Sequence, residues 1–451
     1  MAVLEKLLKE ALDLSQGDKL FVLEQDSEDV KVLAQEIEKC AIKSSISITR
    51  YQISREQLSR DDYRPDFEDI FKEEPPNGII LLTDLTKETT PSRLTILQDL
   101  TNKGNPWRIA SMPGVTFSHL QKQALDFDQI IEDSKYTFFA LSISNSIRIY
   151  TENSTKTGLD FLEVPVQSMI PILSTGKIAS ARWGNYPSGE CFVLPISFKA
   201  EGKVTLRGSF PFEVMDQNDW ISFNLEKGRL IQKSIKSNKR SMKRRFESLF
   251  FTEGGKNIWK NSNALSEFGV GTNNGISELT GLPIFDEKIH GTFHLGIGGN
   301  KQFDGDIRCK THFDLTFKNA YRVTSVVKGF GVEIPIIEKG KFVLKDTFNY
   351  SQLSNLKYFS IPANFFVMHT GIKVLQEGIQ FRYSTVRDSS VVITVRNVPE
   401  DDLILISNVL DKYRSGKILS FRELLKLKTT SHDVFERVIK FLFLVGLLNK
   451  K

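Results

Sequence analysis

Cysteine is scarce: the 451 residues contain three, Cys40, Cys191 and Cys309, far apart and without a C-x-x-C pair. That excludes a disulfide framework and a thiolate zinc site, and it fits a reducing cytoplasm. No stretch approaches the ~20 uninterrupted apolar residues of a membrane helix. Met1 to Glu10 carries acids among its apolar positions, unlike the continuous apolar core of a signal peptide. The chain therefore reads as neither exported nor membrane-spanning. An excess of charge is also missing, since 60 Lys plus Arg against 55 Asp plus Glu leaves +5. So small a surplus argues for no nucleic-acid partner. Nor does a Gly-rich phosphate loop follow any N-terminal strand, so that region reads as a structural or regulatory layer without a nucleotide.

What is present is a globular composition, 40% hydrophobic and 25% charged, long enough for two or three domains. Over 1–135, helix and strand signals alternate. Leu4, Leu7, Leu8, Ala11 and Leu12 share a helical face, and Leu20 to Leu23 forms a short apolar strand. A helix from about Ser27 to Ile42 leads to a strand at Ile46 and Ile48. Ile79 to Leu82 and Trp107 to Ser111 supply two more strands, separated by a helix whose first turn holds Pro91. This interleaving predicts an α/β domain with an open, mostly parallel sheet.

Over 136–350 the texture becomes β-rich, with Gly-containing turns and one polar stretch, Leu230 to Glu247, expected to be helical. That stretch holds the basic run Lys233, Lys236, Lys239, Arg240, Lys243, Arg244 and Arg245, read as a solvated helix face because few aromatics interleave it. Over 355–451, strands around Ile372 to Val398 precede three expected helices at about 401–412, 421–427 and 433–448, a winged-helix-like order. Ser420 to Glu423 fits a capping box. The apolar faces of these helices read as a packing module, either a folded cap or a dimerisation element. Its order is similar to the small domains that hold leader peptides in ribosomal-peptide maturation.

The chemistry is concentrated in the β-rich part. Three of six histidines, His290, His294 and His312, fall within 23 residues of one another. In a strand His312 and Asp314 point to the same face, presenting an imidazole and a carboxylate together. Adding His294 makes a set suited to zinc, cobalt, manganese or ferrous iron. Upstream, Glu190 follows the Pro/Gly turn of Asn185 to Gly189, and Glu267 stands in a strand that breaks at glycines; each acid alone also suits a turn cap. His290 lies four strand residues, ~13 Å, from His294, too far to share one metal, and reads as exposed or hydrogen-bonded. Cys191 and Cys309 read as packing residues, since no positioned base accompanies them.

Taken in order, N-Y-P-S-G-E at 185–190, E-F-G-V-G-T-N at 267–273, D-E-K-I-H-G-T-F-H at 286–294 and H-F-D at 312–314 resemble the successive signatures of the M29 metallo-aminopeptidases, the aminopeptidase T and aminopeptidase S group. The resemblance extends to Thr157 to Asp160 and to the region of Gly329-Phe330-Gly331, about the first 345 residues. It implies an N-terminal α/β domain, a β-rich catalytic domain, and Glu190, Glu267, His294, His312 and Asp314 as ligands of two divalent metals, with Glu267 and Asp314 bridging. It further implies hydrolysis of N-terminal residues from peptides by a metal-activated water, with Glu267 as proton acceptor. The family's tyrosine seven residues after the histidine matching His294 is replaced here by Lys301, which becomes the candidate oxyanion donor. Two other readings stay open. His294, His312 and Asp314 form the two-histidine, one-carboxylate set of ferrous oxygenases, and the dihydroxypyridine dioxygenases resemble this same fold. Alternatively, the chain binds a peptide without cutting it.

Overall fold

The computed structural model describes residues 2–450 except 61–62, 72–73, 87–88, 103–104, 167–168, 319, 328–331, 348–363, 368–370, 376–377, 384–390, 397, 413–417, 421–431 and 445–447. It is a mixed α/β structure with several sheets. The first is wholly parallel, in the order Ser47–Ile53, Lys19–Gln25, Gly78–Thr83, Arg108–Pro113, Arg182–Asn185. Its central strands are continuous apolar runs because both faces are covered. Leu20, Val22, Ile80 and Leu82 face the helix Glu28–Lys43, while Phe21, Leu23, Ile79 and Leu81 face Ile96, Leu97 and Leu100 of the helix Thr90–Asn102. The N-terminal helix Ala2–Lys6 continues through a π-helical turn, Leu7–Ala11.

The fifth strand, Arg182–Asn185, arrives from the β-rich part of the chain and runs straight into the turn that ends at Glu190. It thereby fixes the parallel sheet against the rest of the molecule. The helix Phe127–Ser142 runs through the point where the β-rich texture was expected to begin, and its Phe138, Phe139, Ala140 and Leu141 join the β-rich core.

Beyond it lie a nine-stranded and a seven-stranded sheet that share that core. The seven-stranded sheet runs Glu213–Val214, Gly208–Phe210, His312–Phe317, Phe293–Gly298, Leu265–Gly271, Glu190–Val193, Ile172–Ser174, with antiparallel pairings throughout. One expectation is corrected: 230–247 is not one helix. It holds the two-residue strands Arg229–Leu230 and Lys236–Ser237 and a 3₁₀ turn, and only Arg240–Ser248 is α-helical. Strands two residues long are too short for any periodicity to reveal.

In the C-terminal part the strands Gly371–Leu375, Gly378–Tyr383 and Val391–Arg396 form an antiparallel sheet, and the helices Glu400–Lys412 and His432–Leu444 follow. Leu405, Ile406 and Val409 are buried, as are Val438, Ile439 and Leu442, and Arg437 pairs with Asp402. The helix expected at 421–427, its capping box and Gly329-Phe330-Gly331 lie outside the described residues. Among the described residues no helix is long and apolar enough to cross a membrane.

Candidate metal centre

Three adjacent strands build the site by register. Glu267 stands opposite Gly296, Gly269 opposite His294, Gly296 opposite Asp314 and Gly298 opposite His312. Because side chains alternate, Glu267, His294, His312 and Asp314 converge on one face, interleaved with glycines. The glycines make the room. A Cβ at Gly269 would lie 2.2 Å from the His294 ring, and one at Gly296 would lie 2.7 Å from both Glu267 Cβ and His312 Cε1. The sequence motifs also meet in space. Asn273 Nδ2 donates to the Ser188 carbonyl (2.6 Å), and Asn273 N–H donates to the Lys288 carbonyl (2.9 Å). Gly189, at φ +127, comes so close to Asn273 that a Cβ would lie 2.5 Å from the Asn273 Cβ.

Within the cluster His294 Nε2 lies 3.2 Å from Glu267 Oε1 and 3.5 Å from Glu190 Oε2. His312 Nε2 lies 3.1 Å from Asp314 Oδ1 and 3.5 Å from Glu267 Oε2. His312 Nδ1–H donates to the Gly299 carbonyl (2.7 Å), which turns Nε2 toward the acids. Glu190 Oε2 and Glu267 Oε2 are buried without hydrogen-bond partners. Ligand atoms of Glu267, His294 and Asp314 lie within 4.8 Å of one another, as do those of Glu190, Glu287 and His294. The five residues singled out in the sequence are therefore brought together.

Their electrostatics follow from burial set against mutual charge. Burial lowers the His312 pKa, but Asp314 and Glu267 outweigh it and raise the pKa to about 10. Burial raises the Glu267 pKa, an effect that His294 and His312 only partly offset. Burial also opposes ionisation of Asp314, yet His312 holds its carboxyl below the usual carboxylate range.

Two residues inside the D-E-K-I-H motif escaped sequence reasoning. Lys288 is fully buried and its ammonium bonds both Glu190 and Glu287. Burial would lower its pKa, but the two carboxylates raise it. Glu287 is also buried, and burial pushes its carboxyl well up despite Lys288. A lysine between an acid and an isoleucine reads as a solvated cation, and only the Asp-Glu-Lys run inside a ligand-bearing motif hinted otherwise. His290 sits in a turn, with Nε2 2.9 Å from Asp133 Oδ2, and belongs to neither cluster. Cys191 lies in the core. In the basic run Lys239 pairs with Asp216 and Asp219, and Arg245 with Glu213.

A cavity of about 260 Å³ opens onto the cluster. Its lining includes Glu190, Glu267, Glu287, His312 and Asp314 together with Thr90, Arg93, Trp183 and Asn185 of the parallel-sheet layer. Lys301 is exposed on the 3₁₀ turn Lys301–Phe303 and does not line this cavity, whereas Gln302 and Phe303 do.

No family model matches the chain, and no curated protein matches it. Among solved structures, the chain is similar to 2,5-dihydroxypyridine dioxygenase from Pseudomonas putida KT2440, at 14% identity over 76% of this chain and 96% of that one, with a TM-score of 0.54. It is also similar to wild-type AmpT from Thermus thermophilus, at 13% identity over 76% of this chain and 98% of that one, with a TM-score of 0.49. The first likeness shows a shared fold across most of the length of the dioxygenase.

Proposed function

We propose that this protein is a metal-dependent hydrolase that removes N-terminal residues from short peptides, with one divalent cation held by Glu267, His294, His312 and Asp314. The observation that carries this reading is the convergence of two imidazoles and two carboxylates from neighbouring strands, with Glu267 Oε2 buried and making no hydrogen bond. Such oxygens are costly unless a cation satisfies them. The donors are nitrogen and oxygen only, which suits zinc, cobalt, manganese or ferrous iron. When bound, such an ion makes hydroxide available near neutral pH and polarises a peptide carbonyl. The Gly299 carbonyl orients His312, and Glu267 is the group positioned to accept a proton. Two metals are expected from the sequence resemblance, but the Lys288 ammonium already bonds both Glu190 and Glu287, which favours one.

A second reading has its own support. His294, His312 and Asp314, with Lys288 closing off the Glu190 side, suit a single ferrous ion, and the fold is shared with a dioxygenase. Metal analysis of protein purified without chelators, followed by parallel assays, separates the readings. Cleavage of unblocked dipeptides with zinc, cobalt or manganese supports the hydrolase. Oxygen uptake with bound iron supports the oxygenase. Binding of dipeptides with neither activity would replace both with a peptide-binding role.

A further inference from the structure

Two cations line the cavity: Lys310 is exposed over the Trp259 ring, whereas Arg93 is buried and no acid balances it. Arg93, on the helix Thr90–Asn102, is 8% exposed and lines the cavity. Its Nη1 donates to Ser111 Oγ (2.9 Å), while its Nε is buried with no partner. Among the described residues no carboxylate pairs with it. The other inward-facing arginines differ. Arg50 is held by Glu24 and Glu38 and Arg437 by Asp402, while Arg207, whose Nε is likewise buried without a partner, donates through both Nη atoms to the carbonyls of Asp219, Asn153 and Ser154. A guanidinium taken out of water with its fork unfilled is costly unless a ligand completes it, and its planar donors match a carboxylate. Burial accordingly pulls the Arg93 pKa down to about 10. Close by in the same lining, Asn185 Oδ1 is a buried acceptor with no donor.

The cavity lining thus joins the candidate metal cluster to a buried guanidinium that no carboxylate pairs, and at about 260 Å³ it is small for a ligand pocket. The carboxylate of a dipeptide would find a partner there on Arg93, with the amino end of the dipeptide toward the metal cluster. We propose that Arg93 anchors the C-terminal carboxylate of a dipeptide, with Asn185 accepting from a peptide N–H, so that the substrates are dipeptides rather than long chains. This rests on the hydrolase reading for what happens next, but not for what binds.

The test uses uncleavable ligands and zinc-loaded full-length protein. Calorimetry compares Leu-Ala with its peptide bond reduced to CH₂–NH, the same compound as its C-terminal amide, and the reduced Leu-Glu amide, whose only carboxylate is a side chain. The free carboxylate is expected to bind about tenfold or more tightly than its amide, as for a charged hydrogen-bonded pair. That ratio should fall toward one in Arg93→Met and be partly kept in Arg93→Lys. Equal binding of acid and amide by the wild type, no binding of either, or an unchanged ratio in Arg93→Met overturns the assignment. Leu-Glu amide binding as tightly as the Leu-Ala analogue overturns the C-terminal choice. The wild-type comparison stands even where a variant fails to fold. Failure of intact Leu-Ala to be cleaved with any metal sinks the hydrolase reading alone, because the binding ratio is measured without turnover.

Discussion

The buried ammonium of Lys288 is bonded to the carboxylate of Glu190, the first residue of the strand Glu190–Val193. The bond places a fixed positive charge at the cluster of Glu190, Glu287 and His294, where a second metal would otherwise be held. Lys288→Met keeps much of the side-chain length and removes the charge, leaving two buried carboxylates facing each other. The variant is expected to bind two zinc ions per chain where the wild type binds one, counted by native mass spectrometry. One zinc in both proteins would exclude a masked second site.

Gly269→Ala tests whether glycine makes the room for His294. In a strand interior alanine is ordinarily the better residue, by about 0.5–1 kcal/mol. Here its Cβ would meet the His294 ring at 2.2 Å. The variant should keep its circular dichroism spectrum and lose tenfold or more in zinc affinity. His312→Ala, which removes a ligand outright, should lose the metal altogether, and unchanged metal content in His312→Ala would remove the central claim.

Glu267→Gln should retain the fold but lose turnover, because an amide neither holds a cation nor takes a proton as a carboxylate does. Full turnover in that variant would exclude Glu267 as base.

Lys301→Ala separates a sequence expectation from the observed placement. An oxyanion donor would be worth about 10² to 10³ in kcat. A residue exposed outside the cavity should change kcat by less than about threefold on the same scale. A hundredfold drop would return Lys301 to the reaction.

Asp219 gives an acid-stability test away from the site. Burial alone would raise its pKa, but a hydrogen bond from Lys239 (2.8 Å) and the Asp216 N–H (3.1 Å) lower it below its ordinary value. A carboxyl with a depressed folded pKa adds stability above its unfolded value of about 3.9, and that stability is lost as pH falls further. Lys239→Met should therefore lower the urea midpoint at pH 6 and converge with wild type toward pH 2. A gap independent of pH would rule out the charge pair as its cause.

The parallel sheet was legible because strands such as Ile79 to Leu82 are covered on both faces and so are apolar throughout. The convergence of the candidate residues was legible because His312 and Asp314 are two residues apart on one strand and Glu190 follows a Pro/Gly turn; Glu267 instead lies within the strand Leu265–Gly271, which does not break at its glycines as expected. Lys288 and Arg93 were not. Each looks in sequence like a surface cation, and only tertiary burial makes it a charge whose partners matter. The strands at 229–230 and 236–237 exist through cross-strand pairing with Ile221–Glu226, which no local pattern encodes.

The sheet that carries the site also sets when the site can form. Its strand order places Gly208 against Phe317, and Glu190 against Gly271, so neighbours in space are remote along the chain. Pairings of such high contact order form late and slowly. During synthesis, Glu190 and Glu267 emerge well before the strand His312–Phe317 that supplies His312 and Asp314. Until that strand docks, the cluster lacks His312 and Asp314. The buried charge cluster is thus complete only once that strand has docked.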